Sequence, residues 1–305
     1  MAIIEAAGLR KRYGEVQALK DLDFSVEGGE VFGIIGPDGA GKTTLFRILT
    51  TLLLADSGTA RVDGLDVRRD FMAIRARVGY MPGRFSLYQD LSVAENLEFF
   101  ATVFGTTIEE NYSLVAEIYR RLEPFKDRRA GALSGGMKQK LALCCALIHR
   151  PVVLFLDEPT TGVDPVSREE FWEMLRRLRE QGITILVSTP YMDEAGLCDR
   201  IALMQGGRFL SIGRPADIVA GYRKELFAVR GKRMSALLAD LRAHDKVASC
   251  FAFGESHHVA AVPGSLSAEE LARYLASKGY EGVAVAPIRP GVEDCFMDMA
   301  VPGKT

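Results

Sequence analysis

The chain has no C-x-x-C pair. Its five cysteines, Cys144, Cys145, Cys198, Cys250 and Cys295, are odd in number and two of them are adjacent. This spacing argues against a disulfide framework or a zinc site and fits a reducing compartment. Surplus charge is equally scarce. The 38 Lys and Arg stand against 40 Asp and Glu, a formal net charge of -2 over 305 residues. No overall attraction to nucleic acid is therefore expected. Long apolar runs are missing too. VVLFL at 152–156 falls far short of the ~20 residues that span a bilayer. The opening MAIIEAAGLRKRYG reaches charge too soon for a secretory signal. Any work at a membrane is expected from its surface and through a partner.

What the chain does contain is short apolar runs alternating with helical patterns. VFGII (31–35) leads into GPDGAGKTT and then an apolar-periodic segment from Leu45 to Leu54. VVLFLDEPT (152–160) leads into a turn and the helical REEFWEMLRRLREQG, after which comes ITILVST (183–189). RIALMQGGRFLSIG reads as a hairpin turning at Gly206 and Gly207. Buried runs separated by helices predict an α/β core with a parallel sheet. The middle differs. From about residue 93 to 130 the pattern is helical, as in SVAENLEFFATVF and NYSLVAEIYRRLEPF, and reads as a helical insertion. Ser92 and Glu95 are spaced as a capping box for its first helix. Beyond about Pro215 the pattern changes again, and residues 226–305 read as a small α+β accessory domain behind a domain of residues 1–225.

The strongest chemical signal is GPDGAGKT, running from Gly36 through Pro37, Asp38, Gly39, Ala40 and Gly41 to Lys42 and Thr43, with Thr44 next. Glycines let the backbone wrap phosphates, and its N–H groups gather at a helix N-terminus. Lys42 is placed to reach the β- and γ-phosphates of a nucleotide, and Thr43 to ligate Mg²⁺. In VVLFLDEP an apolar run buries a strand and delivers Asp157 and Glu158 at its C-terminal end, where ligands sit in open α/β sheets. Asp157 is expected to hold Mg²⁺, directly or through water. Glu158 is expected to polarise the attacking water. A third signal is LSGGM, in which Ser134, Gly135 and Gly136 open a helix and offer a second anion-binding N-terminus. Two phosphate-binding loops on one chain suggest a site shared between two subunits.

Together these motifs resemble those of the nucleotide-binding subunit of an ABC transporter. GPDGAGKTT is similar to the family's Walker A motif, LSGGM to its signature, VVLFLDEPT to its Walker B motif and TGVDP (161–165) to its D-loop. The resemblance covers about residues 3–225. It implies a P-loop ABC ATPase core with antiparallel β and helical subdomains. It also implies that Tyr13 stacks on adenine, and that ATP lies between Walker A of one subunit and the signature of the other. GYMPGRFSLYQDLSVAENL and the tail PIRPGVEDCFMDMA are similar to ATPases of ABC-2 type exporters. By that resemblance the partners are an ABC-2 type membrane permease subunit and a second ABC ATPase subunit, in a homo- or heterodimer. The chain would be cytoplasmic, peripheral on the inner face of the cell membrane. RFSLYQDLSV (84–93) would carry the coupling, with Phe85, Leu87 and Tyr88 as exposed apolar contacts.

The chain departs from the family pattern twice. Gly83 stands at the Q-loop glutamine, and Pro190 at the switch histidine. Both missing groups read the γ-phosphate and its water, and losing such a group costs about 10²–10⁴-fold in rate. One expectation is a chain that binds ATP well and hydrolyses it slowly at its own site, lending its signature loop to a partner. The other is that Glu158 and the backbone suffice, with Tyr191, a water or Gln89 covering the gaps. Two further readings are a soluble ABC ATPase acting on the ribosome or DNA, and a P-loop kinase. A single motif set, a short insertion and near-neutral charge disfavour the first. The LSGGM loop has no use in the second.

Overall fold

A computed structural model describes residues 2–84 and 86–300. Phe85 lies outside the described residues. The chain divides into two compact units, Met1–Arg214 and Pro215–Thr305.

In the first unit the chain runs β1 (Ala2–Tyr13), β2 (Val16–Glu27), β3 (Val31–Ile35), α1 (Lys42–Leu49), β4 (Ser57–Val62), β5 (Leu65–Asp66), α2 (Phe71–Arg75) and β6 (Val78–Met81). It continues through α3 (Val93–Val103), α4 (Ile108–Tyr119), α5 (Gly135–Leu147), β7 (Val153–Asp157), α6 (Pro165–Glu180), β8 (Thr184–Thr189), β9 (Arg200–Gln205) and β10 (Arg208–Gly213). Six strands form one sheet in the order β10-β9-β3-β8-β7-β6. All neighbours in it are parallel except the β9–β10 hairpin, which turns at Gly206 and Gly207. Every residue of β3, β7 and β8 is buried, as a parallel sheet covered on both faces requires. A second, antiparallel sheet has the order β2-β1-β4-β5. Its Ile4, Leu9, Leu19, Leu22 and Val26 share one core with Phe46 of α1 and with Phe155 and Leu186 of the parallel sheet.

The α1 helix stops at Leu49, five residues short of the apolar pattern that ran to Leu54. Thr50 turns its hydroxyl back to the Phe46 carbonyl, and Thr51 takes a left-handed φ of 63°. Arg75 then holds Thr51 through its hydroxyl and carbonyl, both at 2.8 Å. Leu52 and Leu54 are left exposed. Residues 93–130 contain helices and no strand among the described residues. The α3 helix begins at the Ser92–Glu95 capping box. The α5 helix behind it is buried from Leu141 to Leu147 and packs on α3 and α4.

The second unit holds α7 (Pro215–Ala220), β11 (Glu225–Arg230), α8 (Met234–Ala243), β12 (Val247–Phe253), β13 (Ser256–Ala261), α9 (Ala268–Ser277), β14 (Ala284–Pro287) and α10 (Val292–Ala300). Its antiparallel sheet has the order β12-β13-β11-β14. Phe227, Val229, Leu237, Leu241, Val259 and Leu271 form its core. The α7 helix belongs here because it packs on α10, where the Cys295 thiol meets the Ile218 carbonyl.

Candidate functional site

The parallel register brings four strand ends to one edge. Ile35 pairs with Thr189, Asp157 with Ser188, and Met81 with Leu156. The loops leaving these ends carry the Gly36–Thr44 loop, the Asp157–Glu158 pair, Pro190 and Gly83. A crevice at the C-terminal edge of such a sheet is where α/β proteins bind ligands.

The phosphate-type loop is fixed from three sides. The Gly36 amide donates to the Thr189 carbonyl at 3.2 Å, and the Gly207 amide to the Ala40 carbonyl at 2.9 Å. A Cβ at Gly36 would stand 2.1 Å from the Met204 carbonyl oxygen, so only glycine fits. Gly41, with φ 111°, caps α1. Pro37, Asp38 and Gly39 form an exposed crest, Ala40 is buried, and Thr43 and Thr44 are half-buried in the first turn of α1. Tyr13 is 47% exposed at the end of β1. It pairs with Val16, near the Ala18 carbonyl that abuts Gly41.

Lys42 is buried, and its ammonium donates to the carbonyls of Gly36 at 2.7 Å and Pro37 at 3.0 Å. It also pairs with Glu158 Oε1 at 3.0 Å. An ammonium has three N–H donors, and a buried charge is costly unless it is met; here two carbonyls accept from it and the Glu158 carboxylate balances its charge. Glu158 sits at φ 52°, a left-handed conformation that costs a non-glycine residue about 1–3 kcal/mol and persists where surroundings enforce it. Its amide donates to both the carbonyl and the hydroxyl of Ser188, each at 3.0 Å. The same hydroxyl donates to Asp157 Oδ1 at 2.6 Å. Ser188, fully buried, thus anchors both carboxylate residues. Its role was missed in the sequence because nothing local marks a serine inside an apolar strand. Tyr80 beside them has its pKa pushed up to about 12 by burial and by the nearby Asp157 carboxylate.

Gly83 lies against this edge. A Cβ there would stand 2.9 Å from the Asp157 carbonyl oxygen. Gln89 is elsewhere. Its carbonyl accepts from the Gly131 amide at 2.9 Å and its side chain lies beside Gly131. The single histidine of the first unit, His149, stacks on Phe104 and bonds the Val78 carbonyl, at the opposite end of β6 from Gly83. His244, His257 and His258 belong to the second unit. Pro190 and Tyr191 are half-buried.

The structure does not join Ser134, Gly135 and Gly136 to the Gly36–Thr44 loop. Ser134 caps α5 by accepting from the Met137 amide. Gly135 faces the Gly162 carbonyl, and Gly136 faces Ser167 so closely that a Cβ would stand 2.8 Å from its hydroxyl. The signature loop is therefore presented beside the 161–165 loop. In the 84–93 segment, Tyr88 is exposed whereas Leu87 is buried, correcting its place among the exposed contacts. Asn96 accounts for this. It bonds both the amide and the carbonyl of Tyr88, folding the segment down so that Leu87 points inward.

The family description "ABC transporter" matches residues 19–161. The "Probable multidrug ABC transporter ATP-binding protein YbhF" of Escherichia coli (strain K12) is 42% identical over 221 residues, 72% of this chain. The chain spans only 38% of that protein's length. The "Daunorubicin resistance ATP-binding protein DrrA2" of Streptomyces coeruleorubidus is 36% identical over 309 residues, covering 96% of this chain and 94% of that protein. The chain belongs to the ABC transporter ATP-binding family. Among solved structures, cbiO1 from Clostridium perfringens, part of the ABC transporter complex cbiONQ, superposes with a TM-score of 0.65 at 30% identity, over 72% of this chain and 91% of that one. The matched residues 19–161 run from within β2 to just past β7 and include the helices between β6 and β7. Among the described residues no helix is long and apolar enough to cross a membrane.

Proposed function

We propose that the chain is the ATP-binding and ATP-hydrolysing subunit of an ABC-2 type exporter, driving a separate membrane permease from the inner face of the membrane. The observation that carries the enzymatic reading is the buried Lys42 ammonium, held at the phosphate loop and paired with Glu158 at 3.0 Å. Incoming phosphates compete for Lys42 and free the Glu158 carboxylate to accept a proton from water. The Gly36–Thr44 backbone binds phosphate, and Tyr13 is exposed to take the adenine face. Ser134, Gly135 and Gly136 serve the site of a second ATPase subunit, and that subunit's signature completes this one.

Thr43 and Asp157 suit Mg²⁺, since a hydroxyl and a carboxylate are the hard oxygen donors it prefers. Ser188 occupies only Oδ1 of Asp157. Among the described residues no three His, Cys, Asp or Glu converge on a point, which fits an ion that arrives with the nucleotide and keeps phosphate and water ligands. When bound, it neutralises phosphate charge.

Neither Gly83 nor Pro190 offers a side chain that reads the γ-phosphate, and the histidines lie elsewhere. We infer that this site binds ATP well and turns it over slowly, the functional dimer being asymmetric. The apolar surface near residues 84–93 supports coupling to a membrane subunit. A cavity of about 350 Å³ is lined by Leu52, Tyr80, Leu87, Val103 and Phe104, and Leu52, Tyr88, Phe99 and Val103 around it are exposed. The test is ATP turnover by the purified chain beside Glu158→Gln and Pro190→His, with nucleotide binding in parallel. Tight binding with slow turnover, raised by Pro190→His or by a second ATPase, supports the reading. Brisk turnover that dies with Glu158→Gln would make the chain a self-sufficient motor.

A further inference from the structure

A second buried carboxylate lies apart from the residues assigned above. Glu194, in the short 3₁₀ turn Met192–Leu197, is 2% exposed. Its Oε1 accepts from the Thr160 hydroxyl at 2.8 Å and from Arg168 Nη2 and Nε at 2.9 and 3.2 Å. Each partner belongs to a different working segment. Thr160 stands two residues beyond Glu158 and is 1% exposed. Arg168 lies in the first turn of α6, just past the 161–165 loop. Its guanidinium covers the Tyr191 ring at 4.2 Å, and Tyr191 follows Pro190. One oxygen atom thus ties together the Glu158 turn, the start of α6 and the strand end that lacks a histidine.

Stability alone does not explain the carboxylate. A buried ion pair is often matched or bettered by apolar packing of similar volume. Moreover Oε2 of Glu194 is buried with no hydrogen-bond partner among the described residues, and so is the indole N–H of Trp172 on α6. Both residues line a cavity of about 300 Å³ with Arg168 and Asp193. An unpaired acceptor and an unpaired donor at one cavity invite a second arrangement, in which Oε2 takes the indole N–H directly or through a water.

We propose that Glu194 is a positioning residue for hydrolysis, holding the Glu158 turn in register with the α6 loop and the Pro190–Tyr191 segment through Thr160 and Arg168. Nucleotide binding at one end of this link moves the Trp172 end. The proposal rests on the ATPase reading, but not on whether the site is slow.

The experiment uses the full chain, as wild type, Glu194→Gln, Thr160→Val and Thr160→Ser. It measures the ATP dissociation constant, the single-turnover rate, the thermal midpoint and the emission of Trp172, the only tryptophan. In wild type, saturating Mg-ATP changes that emission. Glu194→Gln keeps ATP affinity, loses the emission change and turns over about tenfold to a hundredfold more slowly, as expected of a small misplacement away from the chemistry. Thr160→Ser keeps the hydroxyl and the rate, while Thr160→Val keeps the volume and loses the rate. Simple packing predicts the reverse order for the Thr160 pair, and that order overturns the proposal. So does wild-type emission that ignores bound ATP, or variants that lose only thermal stability. If wild type binds ATP but does not cleave it, the ATPase reading fails, and the emission response alone decides whether the link exists.

Discussion

Restoring the family glutamine at position 83 should harm this protein. The reasoning begins from the Cβ that Gly83 lacks, which would stand 2.9 Å from the Asp157 carbonyl oxygen and 3.7 Å from the Glu158 Cβ. Ordinary contact starts near 3.4 Å. The loop must therefore retreat by roughly half an ångström or push the end of β7, and overpacking of this kind costs about 1–3 kcal/mol. The end of β7 has little freedom to yield, because Ser188 grips Asp157 and the Glu158 amide together. If the strain falls on the Glu158 turn, each 1.4 kcal/mol of misalignment in the transition state is about tenfold in rate. Gly83→Ala and Gly83→Gln, assayed for ATP affinity, single-turnover rate and thermal midpoint, should both fall below wild type in rate. Gly83→Ala alone should show most of the loss, since the clash begins at Cβ. A Gly83→Gln chain that turns over ATP tenfold faster, with Gly83→Ala unchanged, would refute this account of the loop.

Other expectations follow from buried groups and caps. Burial holds the His149 imidazole below its ordinary pKa of 6.5, so as pH falls through 6.5 the unfolded chain takes up the proton first. Stability is lost over that interval, and thermal midpoints across it should fall less steeply in His149→Phe than in wild type. All five thiols are buried. Burial raises each thiol pKa, Cys295 to about 11 and Cys250 to about 12. A thiol reagent at pH 8 should titrate almost none in the folded chain and five after denaturation. Ser92→Ala removes the α3 capping box and should cost about 1 kcal/mol in denaturant unfolding.

How much was legible depended on whether a constraint was local. The Gly36–Thr43 loop announces itself because wrapping phosphate needs glycines at fixed intervals, and Asp157 and Glu158 because a buried strand must end in polar groups. The β9–β10 hairpin showed through its paired glycines. The antiparallel sheet came only from the family resemblance. β1 and β2 are twelve residues each, with several breaks in register, and these blur the alternation that marks a half-buried strand. The Glu194 link was invisible for a different reason. Thr160 and Glu194 are 34 residues apart, and each looks ordinary until the fold brings them together.

The grip on the phosphate loop also sets an order on synthesis. Gly36 is closed off by the Met204 carbonyl, Ala40 by the Gly207 amide, and β2 by the bond from Lys20 to the Gly207 carbonyl. A nascent chain paused after the Asp157–Glu158 turn has every residue proposed to contact nucleotide in this half-site but not the hairpin that shapes the loop. It should not hold ATP until residues 204–207 have emerged and docked. Because the closing contacts are so distant in sequence, the loop waits on slow, non-local pairing, and ATP then stabilises only chains that have completed it.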